Sequence, residues 1–397
     1  MDYGQSPSGR TMSAYCHEKG TFRDELTRVA RGTPMGELLR RYWHAVALSS
    51  DATETPKMVQ ALGEELLLFR DRAGRCGLMY PRCVHRGASL FYGRVEDRGI
   101  RCCYHGWLYD VTGQCLEQPC EPRNGAATAR TIRQPSYPVR ERYGLVFAYM
   151  GPEERQPLLP RFNLLEQLGE GEFLETDDSS IGSGGPAIVP CNWLQHFENV
   201  MDPFHVPVLH GSFSGAQFTE RMNLLPEVSF ESTARGIKSA QRRKLANGRT
   251  HLRVTEAVLP TLRVVANPQA LSDGPCSLIG WILPLDDTHF RIYSAGRVAS
   301  HGALKEIRAR FNGRLWSELT EEEHQRFPGD YEAQVSQGPI TLHSEEHLVS
   351  SDRGVALLRR LLERQLEALA RGENPMGVQF APASDLVELE AGTAVVE

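Results

Sequence analysis

Two short stretches, "PRCVHRGAS" at residues 81–89 and "RCCYHGWLYD" at residues 101–110, decide how this chain is read. Cys83 and His85 form Cys-x-His, Cys102 and His105 form Cys-x-x-His, and sixteen residues separate His85 from Cys102. The spacing places two Cys-His pairs on two facing loops. Two thiolates and two imidazoles suit a tetrahedral zinc, and they equally suit a two-iron cluster with both Cys on one iron and both His on the other. A glycine close behind each His permits tight loops whose backbone amides can hydrogen-bond cluster sulfurs. Spacing alone leaves the two readings open. Cys76, Cys103 and Cys115 read as packing thiols.

Around these loops, from Met58 to Tyr149, short β-rich runs alternate with Gly-containing turns: "MVQALGEELLLFRD", "RCGLMY", "RGIRCCYHGWLYDVTGQCL" and "YGLVFAYMG". The pattern predicts a small, mostly antiparallel β domain. Ahead of it, apolar periodicity from Asp24 to His44, broken at Gly32, Thr33 and Pro34, predicts a helix, a turn and a second helix. Behind it, Pro152, Pro157 and Pro160 in "GPEERQPLLPRF" mark a boundary near residue 155. The rest is α+β in pattern: a helix around Trp193 to Val200, strand-like runs at 252–265 and 276–298, and an amphipathic helix carrying Val355, Leu358, Leu361, Leu362, Leu366 and Leu369. The expected organisation is a helical segment at 1–45, a β domain at 46–155, an α+β domain at 156–372 and an irregular, acidic tail at 373–397. No internal repeat is visible.

The 397 residues carry 44 basic and 50 acidic side chains, a net charge of −6, which argues against a broad nucleic-acid footprint. The longest apolar run, 278–285, is far short of a bilayer span, so no membrane role is expected. The first thirty residues lack the apolar stretch of a secretory signal, making the cytoplasm the expected compartment. Nine cysteines in such a chain are expected to be reduced or metal-bound.

A second constellation lies in "NWLQHFENVMDPFHVPVLH", residues 192–210, with Asp202, His205 and His210 at i, i+3 and i+8. Asp202 and His205 share a helix face, whereas residues five apart sit about 140° apart on a regular helix. Pro203 and Pro207 supply a distortion that lets both imidazoles turn toward one point. Two His with one carboxylate and open positions form the facial triad of non-haem Fe(II) oxygenases. Two partly buried His near helix ends would be the plainer reading.

Both constellations in one chain, with "ENxxDxxHxxxxH" about a hundred residues after the Cys-His loops, resemble the oxygenase component of Rieske non-haem iron oxygenases over nearly the whole length. The resemblance implies an α+β protein: an N-terminal Rieske antiparallel β domain and a C-terminal helix-grip-like antiparallel sheet with helices. It implies a [2Fe-2S] Rieske cluster on Cys83, His85, Cys102 and His105, and a mononuclear Fe(II) on His205, His210 and a distant Asp. Many Rieske sequences have Pro where this chain has Cys103, and the usual spacing makes Cys102 the ligand. "GDYEAQVSQGPI" resembles the segment that supplies the third iron ligand, assigning it to Asp330, with Asp202, Glu332 and Asp352 as competitors. The family's pattern gives Asp202 the link between centres, with electrons passing from His105 through Asp202 to His205 across a subunit interface.

"RRYWHAVALS", "QGPI" and "SSDRGVALLRRLL" resemble the phthalate-type branch, which includes O-demethylases of lignin-derived biaryls and dioxygenases of phthalate, halobenzoates and phenoxybenzoates. This implies a homotrimer or stacked trimers acting in aromatic compound catabolism. No dinucleotide fingerprint or plant-type ferredoxin Cys set is present, so a separate reductase or ferredoxin must relay electrons from NAD(P)H. The expected reaction uses O₂ to hydroxylate, dihydroxylate or O-demethylate an aromatic substrate, with a carboxylated one favoured. A Rieske electron-transfer protein and a zinc-binding scaffold are the rival readings.

Between Arg235 and Arg253 stand seven basic residues and no acid, with Asn247 and Gly248 offering a hairpin turn. This reads as a solvated edge hairpin guarded by charge, with reductase docking and substrate steering as alternatives. Arg253, Arg263 and Arg297 lie on strand-like runs where one inward guanidinium could clamp an aromatic carboxylate, though surface or structural pairing is expected of each. Trp193 and Trp281 are expected in the core, Asp286 and Asp287 in a turn, and Asp352 at a helix N-cap.

Overall fold

In the computed structural model, which describes residues 19–179, 181, 185–214, 218–266, 273–306, 313–381 and 386–397, the chain opens with two short helices, Asp24–Thr27 and Pro34–Leu39. Thr33 caps the second, its hydroxyl accepting the Gly36 N–H at 3.2 Å, and Pro34 occupies the first helical position, where a missing N–H costs nothing. The helical periodicity read as far as His44 stops at Leu39. Residues Trp43–Leu48 form a strand instead, because five of the six are buried against Leu145–Tyr149, and a helix would turn some of them to water.

Three antiparallel sheets build the β domain. One orders Trp43–Leu48, Leu145–Tyr149 and Val139–Arg142; a second orders Lys57–Ala61, Glu64–Arg70, Cys76–Met79 and Ser136–Tyr137. The third orders Arg94–Glu96, Gly99–Arg101, Leu108–Tyr109 and Cys115–Glu117, and it carries the second Cys-His loop between its middle strands. The hairpin joining Lys57–Ala61 to Glu64–Arg70 turns through Leu62 (φ 49°) and Gly63 (φ 79°). Left-handed backbone at Leu62 is unfavourable, yet the Leu62 N–H donates to Pro284 O at 2.8 Å and the Gly63 N–H to Leu285 O at 2.7 Å. The turn thereby fastens the β domain to the second half of the chain.

That second half is organised, among the described residues, on a nine-stranded sheet. Its main order is Phe173–Asp177, Phe290–Val298, Leu278–Pro284, Leu262–Val265, Thr250–Val258, Gly236–Lys244 and Glu227–Ser232, with every neighbouring pair antiparallel. The helix Arg353–Ala370 buries Val355, Leu358, Leu361 and Leu362, the stripe its periodicity predicts. The tail corrects the sequence reading. Gly392–Val396 pairs with Thr250–Val258 and with Gly274–Pro275, and Leu386–Val387 lies parallel to Arg161–Phe162. Its β-branched "TAVV" offers a strand that the large sheet accepts, which acidic composition concealed.

One hydrophobic core runs through both halves. Phe147 meets Trp281 edge-to-face at 5.5 Å, Tyr293 Oη donates to Val46 O at 2.9 Å, and Trp43 Nε1 donates to Pro157 O at 2.8 Å. Trp193 and Trp281 are core residues, as expected.

Candidate metal centres

The two Cys-His loops are built alike. Cys83 N–H donates to Ala88 O at 2.8 Å and Gly87 N–H to Cys83 O at 2.8 Å; Cys102 N–H donates to Trp107 O at 2.8 Å and Gly106 N–H to Cys102 O at 3.1 Å. Gly87 (φ 76°) and Gly106 (φ 72°) close the loops in left-handed backbone, where a side chain would be strained. Each loop turns its Cys inward and its His outward: Cys83 and Cys102 are buried, while His85 and His105 are half-buried with rings 4.5 Å apart. Gln134 braces the first loop, donating to Tyr80 O and Arg82 O and accepting from Val84 N–H. Arg101 braces the second, donating to Gly106 O at 2.7 Å. Burial pushes the Cys83 thiol up, and a 3.0 Å hydrogen bond to Tyr109 Oη opposes that. Cys103, expected as a packing thiol, is exposed, since the loop that turns Cys102 inward turns its neighbour out.

These donors discriminate between metals. A tetrahedral zinc with bonds of about 2.0–2.3 Å gathers its donor atoms within about 4 Å of one another. Among the described residues, the compact grouping of three or more donors, all within 4.8 Å, is His205, His210 and Asp330, and the Cys-His set does not meet it. Two buried thiols behind two outward imidazoles fit an elongated two-iron cluster.

The second site begins at the helix Trp193–Asn199, capped by Asn192 Oδ1, which accepts the Leu194 N–H at 3.0 Å. Beyond it Asp202 Oδ1 accepts Phe204 N–H at 2.9 Å and His205 N–H at 3.3 Å, and a π-helix, Val206–Phe213, follows. In a π-helix hydrogen bonds run five residues back, so His205 and His210 fall about one turn apart on one side. The distortion expected at two prolines is this wider helix; Pro207 sits in its first turn, where no N–H is missed.

Asp330 opens the helix Asp330–Val335 and presents Oδ1 at 3.3 Å from His210 Nε2 and 3.7 Å from His205 Nε2. Burial works against the Asp330 charge, but His210 and His205 outweigh it and hold the carboxyl far below the usual range. The competing acids face elsewhere. Asp202 Oδ2 lies 3.5 Å from His205 Nδ1, on the ring's opposite side from the convergence. Glu332 accepts Trp316 Nε1 at 2.8 Å and Gly329 N–H at 2.8 Å. Asp352 stands at the N-cap of the last long helix, but its carboxylate accepts the preceding Val349 N–H at 2.8 Å.

Supporting residues around this site escaped the sequence reading. Asn199 Nδ2 donates to Asp330 Oδ1 at 3.2 Å. His196, buried one turn earlier, contacts Gln334 Oε1 through Nδ1 at 2.9 Å and Arg263 Nη1 through Nε2 at 2.8 Å. Arginine only donates, so Nε2 accepts and the proton sits on Nδ1. Burial, with Arg263 beside it, pushes this imidazole down to about 3, so it is neutral. The signal available was His196 and Asn199 at i, i+3 on one helix face. Arg359 then pins that helix to Arg353–Ala370 through Glu198, with 2.6 and 2.9 Å contacts in a bidentate pair.

The basic hairpin is interior, correcting the edge reading. Gly236–Lys244 pairs on both sides, and strict alternation sends Arg242 and Lys244 outward and Arg243, His251 and Arg253 into the protein. Arg297 is structurally paired, donating to Gln167 O at 3.0 Å beside Glu172. Asp286 lies in a turn as expected, accepting Thr288 N–H at 2.8 Å.

Comparison with known proteins adds four findings. The family profile of the Rieske [2Fe-2S] domain matches residues 42–138. The chain is 50% identical over 384 residues to phenoxybenzoate dioxygenase subunit alpha of Ectopseudomonas oleovorans, covering 96% of this chain and 93% of that one. It is 38% identical over 370 residues to the oxygenase subunit of tert-butanol monooxygenase / tert-amyl alcohol desaturase of Aquincola tertiaricarbonis, covering 85% and 75%. In fold it is similar to the solved structure of a Pseudomonas putida CBB5 NdmA QL mutant with caffeine, with TM-score 0.62 and 19% identity over 85% of this chain and 93% of that one. Among the described residues no helix is long and apolar enough to cross a membrane.

Proposed function

The chain belongs to the Rieske non-haem iron oxygenases, as the oxygenase component of a multicomponent system acting with O₂, and on that premise we propose that it oxidises a two-ring aromatic carboxylate of the phenoxybenzoate kind. A pure electron-transfer role is not favoured, because a relay has no use for an open two-His, one-carboxylate site. The family carries a [2Fe-2S] cluster and a mononuclear iron. In our reading Cys83, His85, Cys102 and His105 hold the first, and His205, His210 and Asp330 hold the second. Bound there, the cluster supplies single electrons and the mononuclear iron supplies the oxygen chemistry.

The chain's own residues position that chemistry. Asn199 orients the Asp330 carboxylate. Asp202 orients His205 from behind, and we assign it the further task of coupling His205 to His105 of a neighbouring copy. We further propose that the active unit is a homotrimer or a pair of stacked trimers, placed in the cytoplasm, with a Rieske domain at 46–155 and a catalytic domain at 156–372. A separate reductase or ferredoxin delivers the electrons.

The observation that carries the reading is the convergence of His205, His210 and Asp330 within 4.8 Å in a chain half identical to a phenoxybenzoate dioxygenase subunit. The test is product analysis of the system reconstituted with a reductase on methoxy- and carboxy-aromatics, including phenoxybenzoates. Oxygen-dependent hydroxylated or demethylated products from phenoxybenzoates are expected. Oxidation confined to substrates without a carboxylate would overturn the substrate class.

A further inference from the structure

Among the described residues, the interior face of the basic hairpin holds charge that no acidic side chain pairs. Register places Arg243 opposite His251 and Gln241 opposite Arg253, so the two guanidinium-bearing positions are diagonal neighbours on one face. All three of Arg243, His251 and Arg253 are buried. Arg243 Nε donates to Leu224 O at 3.0 Å and Arg253 Nη2 to Ala266 O at 2.8 Å. Among the described residues, Arg243 Nη1, Arg253 Nε and both His251 nitrogens have no hydrogen-bond partner. Buried polar groups are ordinarily satisfied, and buried cations ordinarily paired. The acid nearest in influence, Asp273, is engaged by Arg221 at 3.1 Å. Burial pushes Arg253 down to about 9, with Arg243 adding to it, and burial pushes Arg243 down to about 10, as for cations without a counter-charge.

The same face leads to the iron site. Ala257, four residues along the strand from Arg253, lies opposite Arg263, whose side chain runs over Gly280 to reach His196 Nε2 at 2.8 Å. A Cβ on Gly280 would stand 2.9 Å from Arg263 Cγ, so the glycine makes room for that path. At about 3.4 Å per residue, Arg253 and the Arg263 level are about 14 Å apart. At the other end, Asn223, next to the Leu224 carbonyl that Arg243 holds, lies against Gly211, the neighbour of His210.

We propose that Arg243, Arg253 and His251 form the carboxylate-binding end of the substrate site, fixing an aromatic acid by its anionic group while its far ring reaches toward His205, His210 and Asp330. This rests on the oxygenase reading above and names the residues that select the acid. The guanidinium forks hydrogen-bond a carboxylate directionally, as a lysine could not.

The test is anaerobic calorimetric titration of the holoprotein with 3-phenoxybenzoate and with its neutral counterpart, 3-phenoxybenzyl alcohol, comparing wild type with Arg253→Gln, Arg243→Gln and Arg253→Lys. The acid should bind wild type at least tenfold more tightly than the alcohol. Each Gln variant should erase that preference by weakening the acid far more than the alcohol, with the cluster spectrum unchanged. Arg253→Lys should recover only part of the loss. Equal binding of acid and alcohol by wild type, or an undiminished acid preference in the variants, would overturn the assignment. Should the Gln variants not fold, the wild-type ratio and its fall in Arg253→Lys decide the matter. Failure of the functional reading is distinct: the acid would bind selectively yet never be oxidised by the reconstituted system.

Discussion

Asn199 donates a 3.2 Å hydrogen bond to Asp330, joining two segments 131 residues apart at the point where their metal-ligand candidates meet. Its amide nitrogen also lies 3.4 Å from His205 Nε2, so one side chain sets the spacing of two donors. Asn199→Ala should therefore weaken mononuclear iron binding by about 10- to 100-fold, the usual cost of losing such a support. Iron retention during dialysis against a graded chelator measures this, with the cluster absorbance unchanged. Wild-type retention would show that Asp330 is oriented without it.

The assignment of Asp330 over its rivals gives a three-way comparison. Asp330→Ala should lose mononuclear iron and activity while keeping the cluster spectrum, because the two centres share no ligand. Glu332→Ala and Asp352→Ala should keep the iron. Their carboxylates accept backbone N–H groups at helix starts, so each should cost about 0.5–2 kcal/mol of stability instead. Full occupancy in Asp330→Ala with loss in either comparison variant would move the ligand.

Arg359 and Glu198 are a buried bidentate pair that holds the ligand-bearing helix in place. Arg359→Met leaves Glu198 and also its second carboxylate partner, Glu346, unpaired and should cost about 3–5 kcal/mol in denaturant unfolding, whereas Glu198→Gln with Arg359→Met should restore the part due to Glu198. If the double variant were no more stable than the single one, the loss would lie in packing and not in charge.

Much of this architecture was legible in the sequence, for physical reasons. The Cys-His loops announce themselves because metal donors at short spacing, followed by left-handed glycines, have few other uses. Asp330 was readable only through a resemblance, since nothing local ties it to His205, 125 positions earlier. Asn199, His196 and Gln334 were hidden because their roles depend on partners brought from other elements by the fold. The basic hairpin misled for a different reason. Composition counts seven cations, but burial follows their alternation, and period two sends Arg243 and Arg253 inward. The π-helix was visible only as a conflict, two histidines that a regular helix would point apart.

Asp202 lies 3.5 Å behind His205 and outside the converging donors, which suits an orienting and coupling role better than ligation. Asp202→Asn should keep both metals and slow electron transfer between centres by orders of magnitude. Single-turnover oxidation of the reduced cluster, followed by absorbance, reads this directly; a wild-type rate would remove Asp202 from the route.

Whether one chain holds a two-iron cluster and a separate mononuclear iron is read by counting iron, acid-labile sulfide and zinc in the purified, fully active protein. About three irons and two sulfides per chain are expected, with one iron lost selectively in His210→Ala. Two irons and two sulfides per chain at full activity, or colourless protein with stoichiometric zinc, would contradict that expectation.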